Sequence, residues 1–97
     1  MEKKRFILDG HNMKNGDEFF DEIHRVLCPG FKYFGRNWDA LNDVLRGGFG
    51  EFELGENIVI QFKYVNSIKK QIGENLLNKF ERIVKKSGNV EIVYSNE

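Results

Sequence analysis

Asp39 and Asp43 stand four residues apart in the run Asn37-Trp38-Asp39-Ala40-Leu41-Asn42-Asp43. On a helix that spacing puts both carboxylates on one face. Such a pair suits one of two chemistries. It does acid–base work if its surroundings push the two pKa values apart, or it presents fixed negative charge to a cationic partner. Acid–base work needs a nearby nucleophile or second titratable group. The two histidines, His11 and His24, and the one cysteine, Cys28, all lie outside this run. The functional reading of the pair is therefore a docking feature, and the protein is not expected to be an enzyme. Spacing alone favours tolerated surface charge. Like charges at this spacing cost a few tenths of a kcal/mol, and a helix N-terminus offsets that for Asp39 more than for Asp43.

The remaining candidates are weaker. Cys28 follows Leu27 and reads as a helix-end packing residue. A single cysteine forms no internal disulfide, which fits a reducing, cytoplasmic location. One Cys and two scattered His make no zinc site, and no cofactor is expected. Gly47-Gly48-Phe49-Gly50 lacks the lysine and spacing of a phosphate loop. Lys69-Lys70 and Lys85-Lys86 are without an aromatic-rich strand pattern and read as exposed helix positions.

Fifteen basic and fifteen acidic residues give a formal net charge of zero, unlike a globally basic nucleic-acid binder. The charges are nevertheless segregated. Between Asn37 and Asn57 stand five acids (Asp39, Asp43, Glu51, Glu53, Glu56) and one base, Arg46. Between Gln61 and Val90 stand seven bases and two acids. No apolar run approaches the length of a membrane span. Phe6-Ile7-Leu8 is too short for the core of a signal peptide.

The 97 residues are read as one domain, 1–97. Lys4–Asp9 reads as a strand ended by Asp9-Gly10. Asp17 is the expected N-cap of a helix whose apolar face is Phe19, Phe20, Ile23, Val26 and Leu27, with Glu18, Asp21 and Glu22 favouring its positive end. Cys28-Pro29-Gly30 stops it. Asn37 caps a second helix running to about Arg46, with Trp38, Leu41, Val44 and Leu45 inward and Asp39, Asn42, Asp43 and Arg46 outward. A buried strand is expected over Asn57–Lys63 and a short helix over Tyr64–Ile72. An amphipathic helix over Glu74–Lys86 and a last strand over Val90–Tyr94 complete the chain. Strands separated by helices imply a three-stranded parallel sheet with about four helices, in the order β-α-α-β-α-α-β.

The segment Tyr33-Phe34-Gly35-Arg36-Asn37-Trp38-Asp39-Ala40-Leu41-Asn42-Asp43 resembles the barstar family, intracellular inhibitors of barnase-type ribonucleases. The family pattern there is an aromatic pair, Gly, any residue, Asn, a large apolar residue, Asp-Ala-Leu, one residue, then Asp. The similarity extends over nearly the whole chain. It implies an inhibitor that plugs a basic ribonuclease active site with this helix and the loop before it. Asp43 would be the main anchor and Asp39 the second. Tyr33 would stack on the enzyme, Gly35 and Asn37 would shape the loop, and Asn42 would flank the acids. Arg46 and Phe49 complete the implied contact set.

This chain departs from the pattern in several places. Asn42 stands where a Trp is found, and Phe49 lies one place beyond the expected aromatic. Arg82 stands where the later helix carries an acid, and Arg36 and Arg46 dilute the acidic face. The expectation is a cognate ribonuclease with a differently shaped rim, bound by a free monomer without direct nucleic-acid or membrane contact. The alternatives are a barstar-like module for a non-ribonuclease partner and a small RNA-binding protein.

Overall fold

The structure, a computed structural model, describes residues 3–30, 35–45, 52 and 55–97. Three strands, β1 (Lys4–Asp9), β2 (Ile58–Lys63) and β3 (Val90–Tyr94), form one parallel sheet with β2 in the centre. Between β1 and β2 run α1 (Gly16–Leu27) and α2 (Trp38–Leu45). Between β2 and β3 run α3 (Val65–Gln71) and α4 (Glu74–Lys85). The order is the expected β-α-α-β-α-α-β. Phe6 and Ile92 both register with Ile60, and Leu8 registers with Phe62. The central strand buries Ile58, Val59, Ile60 and Phe62, the near-continuous apolar run that a middle parallel strand needs.

Leu8, Ile58, Ile60 and Phe62 share one core with residues from all four helices. Its centre is aromatic. Phe62 meets Phe80 edge-on at 5.1 Å, and Phe19 meets Phe80 edge-on at 5.8 Å. All three rings are fully buried. The amphipathic faces read from the sequence supply this core: Phe19, Phe20, Ile23 and Leu27 from α1, and Leu77, Phe80 and Val84 from α4. Cys28 is buried at the end of α1, and burial pushes its thiol up to about 11, so it is an inert packing residue at neutral pH.

Three local details differ from the sequence reading. First, Asn15, not Asp17, caps α1. Its Oδ1 accepts from the Glu18 N–H at 2.9 Å, and Glu18 in turn accepts from the Lys14 N–H at 3.0 Å. Asn caps as well as Asp, and this leaves Asp17 free for another partner. Second, Tyr64 lies outside α3, in the left-handed region at φ 56°. Its ring stacks on His11 at 3.8 Å. The crossing beside it is so close that a Cβ on Gly10 would lie 2.6 Å from the Lys63 carbonyl oxygen. Third, Glu22 does more than favour the helix terminus.

Glu22 is the one buried charged residue among those described. Its carboxylate accepts from the Asp9 N–H at 2.9 Å and from Asn12 Nδ2 at 3.2 Å. Arg25 forks onto it at 2.8 and 2.7 Å. Glu22 thereby ties the end of β1 to α1. Burial pushes its carboxyl up, but these hydrogen bonds and the Arg25 charge more than offset that, holding it below the ordinary 4.5. A depressed carboxyl stabilises the fold above its ordinary value and loses that contribution as pH falls through the folded value. Glu22→Gln should therefore cost about 1–3 kcal/mol at neutral pH. The difference from wild type should shrink on acidification to about pH 3. Urea unfolding at both pH values checks this.

Candidate functional site

The candidate face is built from the segment Gly35–Asn37 and α2. Asn37 is the N-cap, as the sequence indicates. Its Oδ1 accepts from the Ala40 N–H at 2.8 Å, and its carbonyl accepts from the Leu41 N–H at 3.3 Å. Gly35 accepts from the Asn37 N–H at 2.8 Å. A Cβ on Gly35 would lie 2.7 Å from Asn37 Nδ2, so any larger residue pushes the cap aside.

Two fasteners hold the start of α2: an Arg36 fork absent from the sequence reading, and Trp38, which that reading placed inward. Arg36 forks onto Asp21 of α1, with Nε to Oδ1 at 2.9 Å and Nη2 to Oδ2 at 3.1 Å. It also reaches Asp17 at 3.7 Å. Trp38 packs edge-on against Phe20 at 5.1 Å and tilted against Phe19 at 6.3 Å. From the other side, Lys79 Nζ of α4 lies 5.3 Å from the Trp38 ring centre. Further along α2, Leu41, Val44 and Leu45 are buried in the core.

The opposite face of α2 is polar. Asp39 and Asp43 are exposed, with Asn42 half-buried between them. Among the described residues neither aspartate has an ion pair or hydrogen bond. Asp17 and Asp21, the i,i+4 pair on α1, provide an internal comparison. Arg36 pairs with both and offsets half of their charge, while Asp39 and Asp43 have no counter-charge among the described residues. Arg36 accordingly does not dilute the α2 face. Its charge is committed to α1. The signal in the sequence was the second i,i+4 acid pair itself, which calls for a cation.

The structure brings Gly35, Asn37, Asp39, Asn42 and Asp43 together on one short stretch. Tyr33, Arg46 and Phe49 lie outside the described residues, as do Gly47, Gly48, Glu51 and Glu53. His11 and Tyr64 stack beyond the ends of β1 and β2, far along the chain from α2. Among the described residues no three His, Cys, Asp or Glu side chains are grouped to hold a metal ion. What the site offers is fixed negative charge on a helix locked from behind.

The family model described as Barstar (barnase inhibitor) matches residues 4–93, nearly the whole chain. No curated protein matches the chain. The chain belongs to the barstar family, and the matched range contains both aspartates, the Asn37 cap and the Arg36 anchor.

The cap and its glycine are separable from the charge they position. Asn37→Ala should destabilise the protein by about 1 kcal/mol, the usual cost of a lost N-cap. Gly35→Ala should act in the same direction. Urea titration followed by fluorescence of Trp38, the sole tryptophan, checks both.

Proposed function

We propose that this barstar-family chain inhibits a barnase-type ribonuclease by seating α2 and the loop before it in the enzyme's active site. The observation that carries the reading is the contrast between the two aspartate pairs. One shares a counter-cation, Arg36, within the fold, and the other is presented without a partner among the described residues. An active site that cleaves RNA must hold a polyanion, so it is lined with cationic groups. Two carboxylates on one helix face, with Cβ atoms about 5–6 Å apart, occupy such a site as phosphate mimics. The helix is already ordered by its seat in the core, so little conformational freedom remains to be lost on binding.

The roles follow from position. Asp43 is the principal anchor and Asp39 the second. Asn42 lies between them and packs on the cleft wall. Gly35 and Asn37 set the approach of the loop, Tyr33 stacks on the enzyme, and Arg46 and Phe49 border the contact. The chain performs no reaction and uses no cofactor. It acts in the cytoplasm, as a monomer until bound, and fits the immunity half of a toxin–inhibitor pair.

The test is RNA cleavage by a barnase-type ribonuclease, titrated with this chain. Activity should fall in one-to-one proportion. Asp43→Ala should weaken inhibition at least about 100-fold, because it leaves a buried cation in the cleft unpaired. Inhibition should also weaken with added salt. Undiminished inhibition by Asp43→Ala would sink the reading.

A further inference from the structure

We infer that α4 is a second, oppositely charged half of the docking face, and that the ribonuclease this chain engages carries an acidic patch beside its basic cleft. The inference rests on the reading of α2 as the docking helix.

Lys79, Arg82 and Lys86 recur at i, i+3 and i+7 along α4 and its C-cap, so they form one stripe. Leu77, Phe80 and Val84 occupy the buried side, and the stripe is exposed on the other. The acids of this helix are already matched. Glu74 pairs with Lys69 at 3.9 Å, and Glu81 pairs with Lys85 at 3.0 Å. Glu81 also accepts from the Tyr94 hydroxyl at 3.4 Å. Arg82 and Lys86 have no ion pair among the described residues. Lys79 has only the face of Trp38, the residue that precedes Asp39. The stripe is thus continuous with the start of the docking helix.

Lys79 lies over the Trp38 ring, one residue before Asp39, which brings the stripe beside α2. Packed helix axes lie about 8–10 Å apart. A specific interface covers about 800 Å² on each partner, a disc of about 16 Å radius. A partner centred on Asp39 and Asp43 therefore reaches α4. If its surface were basic throughout, it would press cations against three unmatched cations. If basic in the cleft and acidic at the flank, it meets both halves with opposite charge. The pattern admits one kind of enzyme and rejects another, and specificity of this sort is built from repulsion as much as attraction.

The test uses a barnase-type ribonuclease with a basic rim, and the same enzyme with Glu in place of rim Lys and Arg residues. Inhibition of RNA cleavage is measured for the wild-type chain, for Arg82→Glu/Lys86→Glu and for Asp43→Ala, with unfolding curves confirming that each variant folds. On the basic-rimmed enzyme the α4 double variant should inhibit about tenfold or more tightly than wild type. On the Glu-substituted enzyme the order should reverse. If the double variant matches wild type on both enzymes while Asp43→Ala relieves inhibition, α2 docks as proposed and the α4 stripe lies outside the contact, which overturns the inference alone. If no chain inhibits either enzyme, the α2 reading fails and this inference with it. Unchanged inhibition together with a salt-sensitive dimer or RNA complex that the double variant abolishes would assign the stripe to a second copy or to RNA, and would also overturn it.

Discussion

Everything at the exposed face of α2 depends on how firmly that helix is seated. Eight residues make a helix about 12 Å long, too short to be stable alone in water. Its two exposed aspartates oppose it further by a few tenths of a kcal/mol. Against this stand Leu41, Val44 and Leu45, each buried. Burial contributes about 1.5–3 kcal/mol for a side chain of this size. Packing therefore outweighs the charge repulsion by roughly an order of magnitude. The core under α2 is what allows like charges to be displayed at all.

Seating fixes the helix, but the fasteners at its start fix its orientation. The Asn37 cap ends the first turn, the Arg36 fork ties the preceding residue to α1, and Trp38 lies between the α1 aromatics and Lys79 of α4. These contacts differ in kind: a backbone cap, an ion pair and an aromatic contact. An exposed ion pair is worth little by itself. The Arg36 fork matters because it commits a cation to the α1 pair, where it offsets half of that pair's charge. One residue thereby keeps two acidic surfaces distinct.

The alternation of apolar and charged residues made the elements legible. The limits of β1 and β3 and the Asn37 cap follow from Asp9-Gly10, from the β-branched run at Val90, and from an Asn placed directly before an apolar stripe. What escaped the sequence reading was set by partners distant in the chain. Glu22 looks like one more acid near a helix terminus, and only the fold brings the Asp9 N–H and Asn12 to it. Arg36 looks like a stray cation until α1 passes beside it. Asn15-Gly16 has the composition of a turn, yet Asn15 sits in extended backbone and caps a helix. Tyr64 carries no glycine signal for its left-handed conformation, which is held by a tertiary crossing rather than by local preference. Side-chain charge is visible in a sequence, whereas its neutralisation is a property of the fold.

That distinction bears on how a neutral chain would recognise a highly charged enzyme. With a formal net charge of zero, the whole molecule exerts no long-range monopole attraction. Its opposed patches act mainly within a Debye length, about 8 Å at physiological ionic strength. At that range the order of charges across the face decides whether an encounter persists. A uniformly acidic protein would be drawn to any cationic surface. Here a small acidic centre on α2 is accompanied by a half-matched pair on α1 and the exposed cations of α4. On the proposed reading, attraction would be confined to a partner that reproduces this sequence of charges in mirror sign. A neutral total is therefore compatible with strong local recognition, and it favours discrimination between similar basic clefts over bulk attraction to all of them.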